Sequence, residues 1–325
     1  MFNILKQPSI YAHTLISLAL LTWGWGSLQA GVPYDLPPPA PGVTPTATQI
    51  IEQVYFVNHF YALKNVAIEM NGRVVTVIVT RGAGEQATTN TVKRYLNNEY
   101  SDGIIKAKDL AIFTSGNLRA TGMLVTDFVD DMQSQSYSIW LPALRKVRRF
   151  AQPAHEDAWG GTDFTFDDVT LRKPHHEEHQ LTDTKTFGTC LNFIDIPEAN
   201  KNWYMKSLPT AEICDHKEKK VYVVQSTHKD PKWWYTYRVS YIDTVTFADY
   251  RTEYFKEGKM IKIIDRDWGD LQTGDPRGLY WKFWYGKNLV TDHETIAVVP
   301  REVFTFNTGK KESLWSEDTL SKIKQ

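Results

Sequence analysis

The chain has 325 residues, two cysteines and a formal net charge of −1, with 37 Lys and Arg against 38 Asp and Glu. That length permits one large domain or two modest ones, and the 42 % apolar share suffices for a core. The near-neutral balance gives no electrostatic reason to expect nucleic acid, while the 11 Trp fit either a sheet core or a wide apolar pocket.

Residues 1–30 read as a signal peptide. Lys6 supplies a positive start and Leu15–Trp25 (LISLALLTWGW) an apolar run of about a dozen residues. A spanning helix needs roughly 20. Ser27-Leu28-Gln29-Ala30 offers a cleavage point after Ala30, and the first cysteine is Cys190, so none lies near it for lipid attachment. The expectation is an exported, soluble, periplasmic protein. Residues 31–46 (GVPYDLPPPAPGVTPT) are Pro-rich and read as an extended, poorly ordered leader. A single domain, 47–325, follows.

A helix opens it. Thr46 or Thr48 can cap it, and Ile50, Ile51, Val54, Tyr55 and Val57–Phe60 give amphipathic spacing. From about Val66 strands follow one another: Arg73–Arg81, Thr91–Tyr95, Ile104–Phe113, Ala120–Phe128 and Ser136–Leu141, the last leaving its sheet at Pro142. Gln180–Ile194 and Lys220–His228 are predicted as strands on either side of a polar insertion, Asp195–Lys219. Trp233–Asp243, Phe247–Phe255, Met260–Asp267, Leu279–Tyr285 and Glu294–Phe306 complete the set, with Lys256-Glu257-Gly258-Lys259 as a tight turn. Ser316–Lys324 reads as a closing amphipathic helix. Ten or more strands with few helices predict one large, strongly curved antiparallel sheet or partial barrel.

In an exported chain the two cysteines are each other's only candidates, so a Cys190–Cys214 disulfide is expected. The tract Lys173–His179 (KPHHEEH) formally contains His175-x-x-Glu178-His179, an inverted zinc-protease pattern. Pro174 and the surrounding charges deny it a packed helix, so it reads as a solvated connection, and neither metal nor cofactor is expected. Gly-rich phosphate loops, nucleophile elbows and acid/base couples are missing from the sequence, which points away from an enzyme.

The stretch Tyr137–Asp168 is the most specific. An aromatic strand and Pro142 lead into Arg145, Lys146, Arg148 and Arg149, then into a loop centred on Trp159, Gly160 and Gly161. Leu141-Pro142-Ala143-Leu144-Arg145-Lys146-Val147-Arg148-Arg149 and Gly161-Thr162-Asp163-Phe164-Thr165-Phe166-Asp167-Asp168 resemble the signature of the outer membrane lipoprotein-sorting proteins, the LolA-like branch associated with RND/MMPL-type exporters. The resemblance implies a LolA/LolB-like half-open, strongly curved antiparallel β-barrel, with helices over its mouth and an apolar cavity for acyl chains. It implies a periplasmic carrier or chaperone of a lipid or lipidated protein, working with an RND/MMPL-type inner-membrane exporter; an enzyme using the same cavity, or an interaction module of an envelope complex, are the alternatives. On this reading Tyr137, Ile139, Leu141, Phe164, Phe166, Tyr235 and Tyr237 line the cavity and Trp159 acts as its lid, although a period-two aromatic stripe by itself is ordinary core. Arg145, Arg148 and Arg149 either meet a headgroup or partner, or pair internally with Asp163, Asp167 and Asp168.

Overall fold

The computed structural model describes residues 31–323; the expected signal peptide lies outside them. The strands are β1 Asn65–Ile68, β2 Thr76–Arg81, β3 Thr88–Asn97, β4 Ile105–Phe113, β5 Gly122–Phe128, β6 Ser136–Leu141, β7 Lys146–Phe150, β8 Glu177–Thr186, β9 Lys220–His228, β10 Tyr237–Asp243, β11 Asp249–Lys256, β12 Lys259–Asp270, β13 Leu279–Asn288, β14 His293–Val298 and β15 Phe304–Phe306. They form one 15-stranded sheet in the order β7-β6-β5-β4-β3-β2-β14-β13-β12-β11-β10-β9-β8, with β1 bridging β3 and β15 off this path. Every pairing is antiparallel. The sheet does not close, because β7 and β8 are its two free ends.

Helix α1, Ala47–Asn58, begins where its cap dictates. The Thr46 hydroxyl accepts from Gln49 N while the Gln49 side chain reaches back to Thr46 N, a reciprocal capping box. Its apolar side buries Ile50, Ile51, Val54 and Val57 in the main core. The leader is not loose. Val32 and Tyr34 pack with Tyr55, Phe56 and Tyr61, Pro37 O accepts from Gln53 Nε2 at 2.7 Å and Leu36 O from Arg277 Nη1 at 2.8 Å. Those aromatic faces give a Pro-rich segment something to bury against.

The β11–β12 hairpin turns at Glu257 and Gly258, both with positive φ (51° and 77°), the geometry a two-residue turn of this twist requires. Other boundaries shift for local reasons. Pro300 breaks the predicted Glu294–Phe306 strand into β14, a short 3₁₀ turn and β15. The Gln180–Ile194 strand stops at Thr186, because the chain turns there into a loop closed by the Cys190–Cys214 disulfide. The basic cluster is itself a strand, β7, paired with β6 alone. The insertion after β8 is less polar than its sequence implied: Leu191, Ile194, Ile196, Met205 and Leu208 join Val77, Val79, Ile296 and Val298 in the core. The central strands are thereby covered on the face away from α1. At the far end, α2 (Glu317–Ser321) starts at Ser316 as predicted but is short, and Lys324 lies outside the described residues.

Candidate functional site

Between β7 and β8 the chain runs back across the inner face of the sheet, and this crossing segment defines the site. Trp159, Gly160 and Gly161 form a single 3₁₀ turn, with φ of 60° and 73° at the two glycines, a backbone that glycine adopts without strain. Thr162 Oγ1 donates to Trp159 O at 2.6 Å and Trp159 N to Phe164 O at 2.8 Å, which folds the segment inward. Phe164 then sits edge-on to Trp284, centroids 5.4 Å apart. A Cβ on Gly286 would come within 2.8 Å of the Phe164 ring, so only glycine at that point of β13 admits it. Asp167–Leu171 follow as one π-helical turn.

Each acid of this segment is an anchor. Asp163 takes His293 Nδ1 at 2.6 Å and Thr295 Oγ1 at 2.7 Å. Asp167 takes Arg172 Nη2 at 2.6 Å and His155 Nδ1 at 2.8 Å. Asp168 is bound by Lys262 Nζ at 2.5 Å, Tyr254 OH at 2.6 Å and Arg172 Nη2 at 3.0 Å. Burial alone would raise the Asp168 carboxyl, but the charges of Lys262 and Arg172 and the hydrogen bonds from Lys262 and Tyr254 hold it far below the usual carboxylate range. Nearby, Glu177 receives Arg238 in a two-pronged pair at 2.9 and 2.6 Å and Tyr235 OH at 2.9 Å. Burial opposes its ionisation, and Arg238 nevertheless pulls it down to about 2.

Around this plug lie three small cavities. The first, about 60 Å³, is bounded by α1, the π turn, Arg238, Asp249, Arg266 and Trp284. The second, about 40 Å³, lies between Asn58, His59, Leu96, Val125 and Thr170. The third, about 60 Å³, is largely apolar, with Ile68, Ile78, Val92, Trp159, Phe164 and Trp281 in its wall. Val169 borders all three. Walls drawn from β3–β5 on one side and β10–β14 on the other converge on that one side chain, as a strongly curved sheet requires.

Three solved structures share this architecture. A domain assigned to the outer membrane lipoprotein-sorting proteins, from Vibrio parahaemolyticus, superposes with a TM-score of 0.61 at 14 % identity, over 85 % of this chain and 98 % of that one. A DUF1329 family protein from Desulfovibrio piger gives 0.62 at 14 % identity, over 85 % and 100 %. A LolA superfamily protein from Nitrosomonas europaea gives 0.50 at 11 % identity, again over 85 % and 100 %. This chain has the LolA-like fold. A family model described only as that of an uncharacterized protein matches residues 106–204, and no curated protein matches the sequence.

Within the LolA-like sheet the residues singled out by sequence separate into groups. Trp159 and Phe164 line the apolar cavity. Tyr137 is fully buried under the plug, donating to Gln135 Oε1 at 2.7 Å and meeting Phe166 edge-on at 5.8 Å. Ile139 and Leu141, two and four residues further along β6, are half-buried and border none of the three cavities. Tyr235 is buried against Glu177. Tyr237 goes the other way. It lies in β10 with Val239 and Tyr241, opposite the buried Arg238, Ser240 and Ile242, and stacks on Phe255 at 4.8 Å. The strand begins only at Tyr237, not at Trp233, so Tyr235 does not share its face, and the side turned inward carries Arg238 and Ser240 because Arg238 finds Glu177 there.

The basic cluster does not pair with the acids of the motif. Those acids lie inside, where Arg172, Lys262, His155 and His293 reach them first, whereas β7 is exposed at the sheet edge. Arg149 bonds Glu317 of α2 at 2.7 Å, and among the described residues Arg145, Lys146 and Arg148 enter no ion pair. Leu144 and Phe150, 52 % and 46 % exposed, flank them.

The histidine tract is taken up structurally. Pro174–His176 is a 3₁₀ turn, and both ring nitrogens of His179 are engaged, by Ser226 Oγ at 2.9 Å and Pro174 O at 2.8 Å. No group of three or more potential metal ligands occurs among the described residues. The interior partners Asn58, His59, Arg172, Arg238, Asp249, Lys262 and Arg266 escaped the sequence reading. They are scattered over the end of α1, the plug and three strands, and no local spacing links them. No helix among the described residues is long and apolar enough to cross a membrane.

Proposed function

We propose that this chain carries a lipid or a lipidated protein in the bacterial envelope, holding the acyl portion inside the half-open sheet. The observation that supports this most directly is the meeting of three cavities at Val169, within a crossing segment that turns at Gly160 and Gly161. As they stand these three spaces are small: about 60 Å³ is room for a few waters, whereas a ligand pocket runs to roughly 300–1,000 Å³. Withdrawal of Phe164 and Val169 would merge the cavities into one, and acyl burial at about 0.8 kcal/mol per methylene then offsets transfer from a membrane. Trp159 serves as the lid of this compartment. The exposed strand Lys146–Phe150 is the contact for an anionic surface or for the inner-membrane partner, for which an RND/MMPL-type exporter is our candidate.

A second reading draws on the small size of these spaces, since a largely filled core with an apolar and cationic edge also fits a non-catalytic module of an envelope complex. An environment-sensitive fatty-acyl probe separates the two. Saturable binding by the folded, delipidated protein, lost on Val169→Phe, supports the carrier. Failure to bind any chain length leaves the interaction module.

A further inference from the structure

The cavity between α1 and the π turn has a polarity that can be read atom by atom. Four side-chain atoms belonging to residues of its wall are buried without a hydrogen-bond partner in the described chain: Asn58 Oδ1, His59 Nε2, Arg266 Nε and Trp284 Nε1. The bonds made by their neighbouring atoms fix what each can do. Asn58 Nδ2 donates to Val54 O and to Asp249 Oδ1, both at 3.1 Å, so the remaining atom is the carbonyl oxygen, an acceptor. His59 Nδ1 lies 2.9 Å from Tyr55 O, which can only accept, so the ring proton is on Nδ1 and Nε2 offers a lone pair. Burial and the Lys173 charge bring this imidazole down to about 3, which keeps it neutral at physiological pH. Arg266 Nε–H is a donor, and its side chain is 3 % exposed. Trp284 Nε1–H is a second donor, so the open positions are two acceptors and two donors. Leaving such groups unmet costs about 1–3 kcal/mol each, and native interiors leave few of them.

The charges on the same wall are already spent on one another. Arg172 is committed to Asp167 and Asp168, Arg238 to Glu177, and Arg266 to Asp249 at 2.5 Å. An anionic group entering here meets no unpaired cation, and because it brings only acceptors it would leave Asn58 Oδ1 and His59 Nε2 unmet.

Building on the carrier reading above, we propose that this cavity seats the polar head of an amphiphile. The head it selects is uncharged and both donates and accepts hydrogen bonds, a hydroxyl or an amide, in preference to a carboxylate or phosphate. Val169 separates the cavity from the apolar one beside Trp159 and Phe164, so head and tail have adjoining seats.

A matched series of one chain length tests this: 1-monolauroylglycerol, N-(2-hydroxyethyl)dodecanamide and laurate, titrated at pH 8 by displacement of a fluorescent acyl probe. The two neutral heads should bind about tenfold more tightly than laurate, the equivalent of one good hydrogen bond. His59→Phe, which keeps the ring stacked on Tyr55, should weaken the neutral heads to the level of laurate and leave laurate unchanged; Asn58→Ala is the second variant, with the same readout, should the first fail to fold. Equal affinities across the series, meaning that water alone satisfies the cavity, overturn the head-group site and leave the carrier standing. Laurate binding most tightly overturns it as well. If no member of the series binds, the carrier reading falls and the head-group site falls with it.

Discussion

Lys262 of β12 meets Asp168 of the crossing segment at 2.5 Å, with side chains 6 % and 0 % exposed. The contact spans 94 positions in sequence and ties the plug to the far wall of the sheet. A buried pair of this kind is poor evidence for net stability, since replacing both partners by apolar groups is often neutral. Removing one partner is another matter, because the survivor is left charged in the interior.

Asp168→Asn should therefore lower stability by about 3–5 kcal/mol, as should Lys262→Met. The double variant should recover much of the loss, because neither charge is then stranded. Urea unfolding of the four proteins measures this as a double-mutant cycle. Strictly additive losses would show that the pair is not an energetic unit.

Acid should loosen the same region in two steps of the same sign. His59 and His176 are held at about 3, mainly by burial, while unfolded imidazoles protonate near 6.5. Below that value the unfolded chain takes up protons that the folded chain refuses, so stability declines as pH falls from 6.5 towards 3. Glu177, held at about 2, contributes stability that is whole above the ordinary glutamate value and is lost as pH falls towards 2. Unfolding midpoints at pH 7, 5.5 and 4.5 should fall in that order, and His59→Phe should flatten the first interval. A midpoint independent of pH between 7 and 5.5 contradicts the assignment.

What the sequence disclosed and what it withheld follow one physical division. Alternation within Tyr237–Asp243 and the turn at Glu257-Gly258 were legible because strand period and turn chemistry are local. So was the special character of Gly161–Asp168, which becomes the plug. The inward side of β10 was not legible: Arg238 reads as a surface residue until Glu177, 61 positions away, is placed beside it. The pairing of Asp168 with Lys262 instead of the nearby basic cluster was hidden for the same reason. A charged interior is built from non-local partners, and a one-dimensional pattern records none of them.

The disulfide should matter for the outer cover of the sheet more than for the plug. Cys190 and Cys214 are bonded across a separation of 24 residues, and the loop they close contributes Leu191, Ile194 and Met205 to the core over the central strands. Closing a loop of this length is worth about 3 kcal/mol on the chain-entropy account. The double Cys→Ala variant should lose about that much, with non-reducing peptide mapping of the parent showing the linkage. Free alkylation of both thiols in unreduced protein would remove the basis of this expectation.

Arg148 offers a control at the edge. It is exposed and makes no ion pair among the described residues, so Arg148→Glu should change stability by less than about 0.5 kcal/mol. Binding to vesicles containing anionic lipid should weaken, and increasingly so at low salt, where exposed charges are least screened. Unchanged vesicle binding argues that β7 does not meet an anionic surface.

Val169 is the most direct handle on the interior, because it borders all three cavities. Val169→Ala removes the partition. The lost contacts should cost about 1–2 kcal/mol of stability, by comparison with other losses of one or two buried methyl groups, and the three spaces of about 60, 40 and 60 Å³ become continuous. Acyl-probe affinity should then rise even as the protein becomes less stable, a combination that simple loosening of the fold does not produce. Val169→Phe should do the reverse: it fills the junction, blocks the probe and leaves the sheet folded by circular dichroism. Trp159→Ala addresses the lid instead of the wall, so it should speed probe release more than it alters affinity. If Val169→Ala and Val169→Phe shift probe binding in the same direction, the junction is not the path of the acyl chain, and the compartment must open elsewhere.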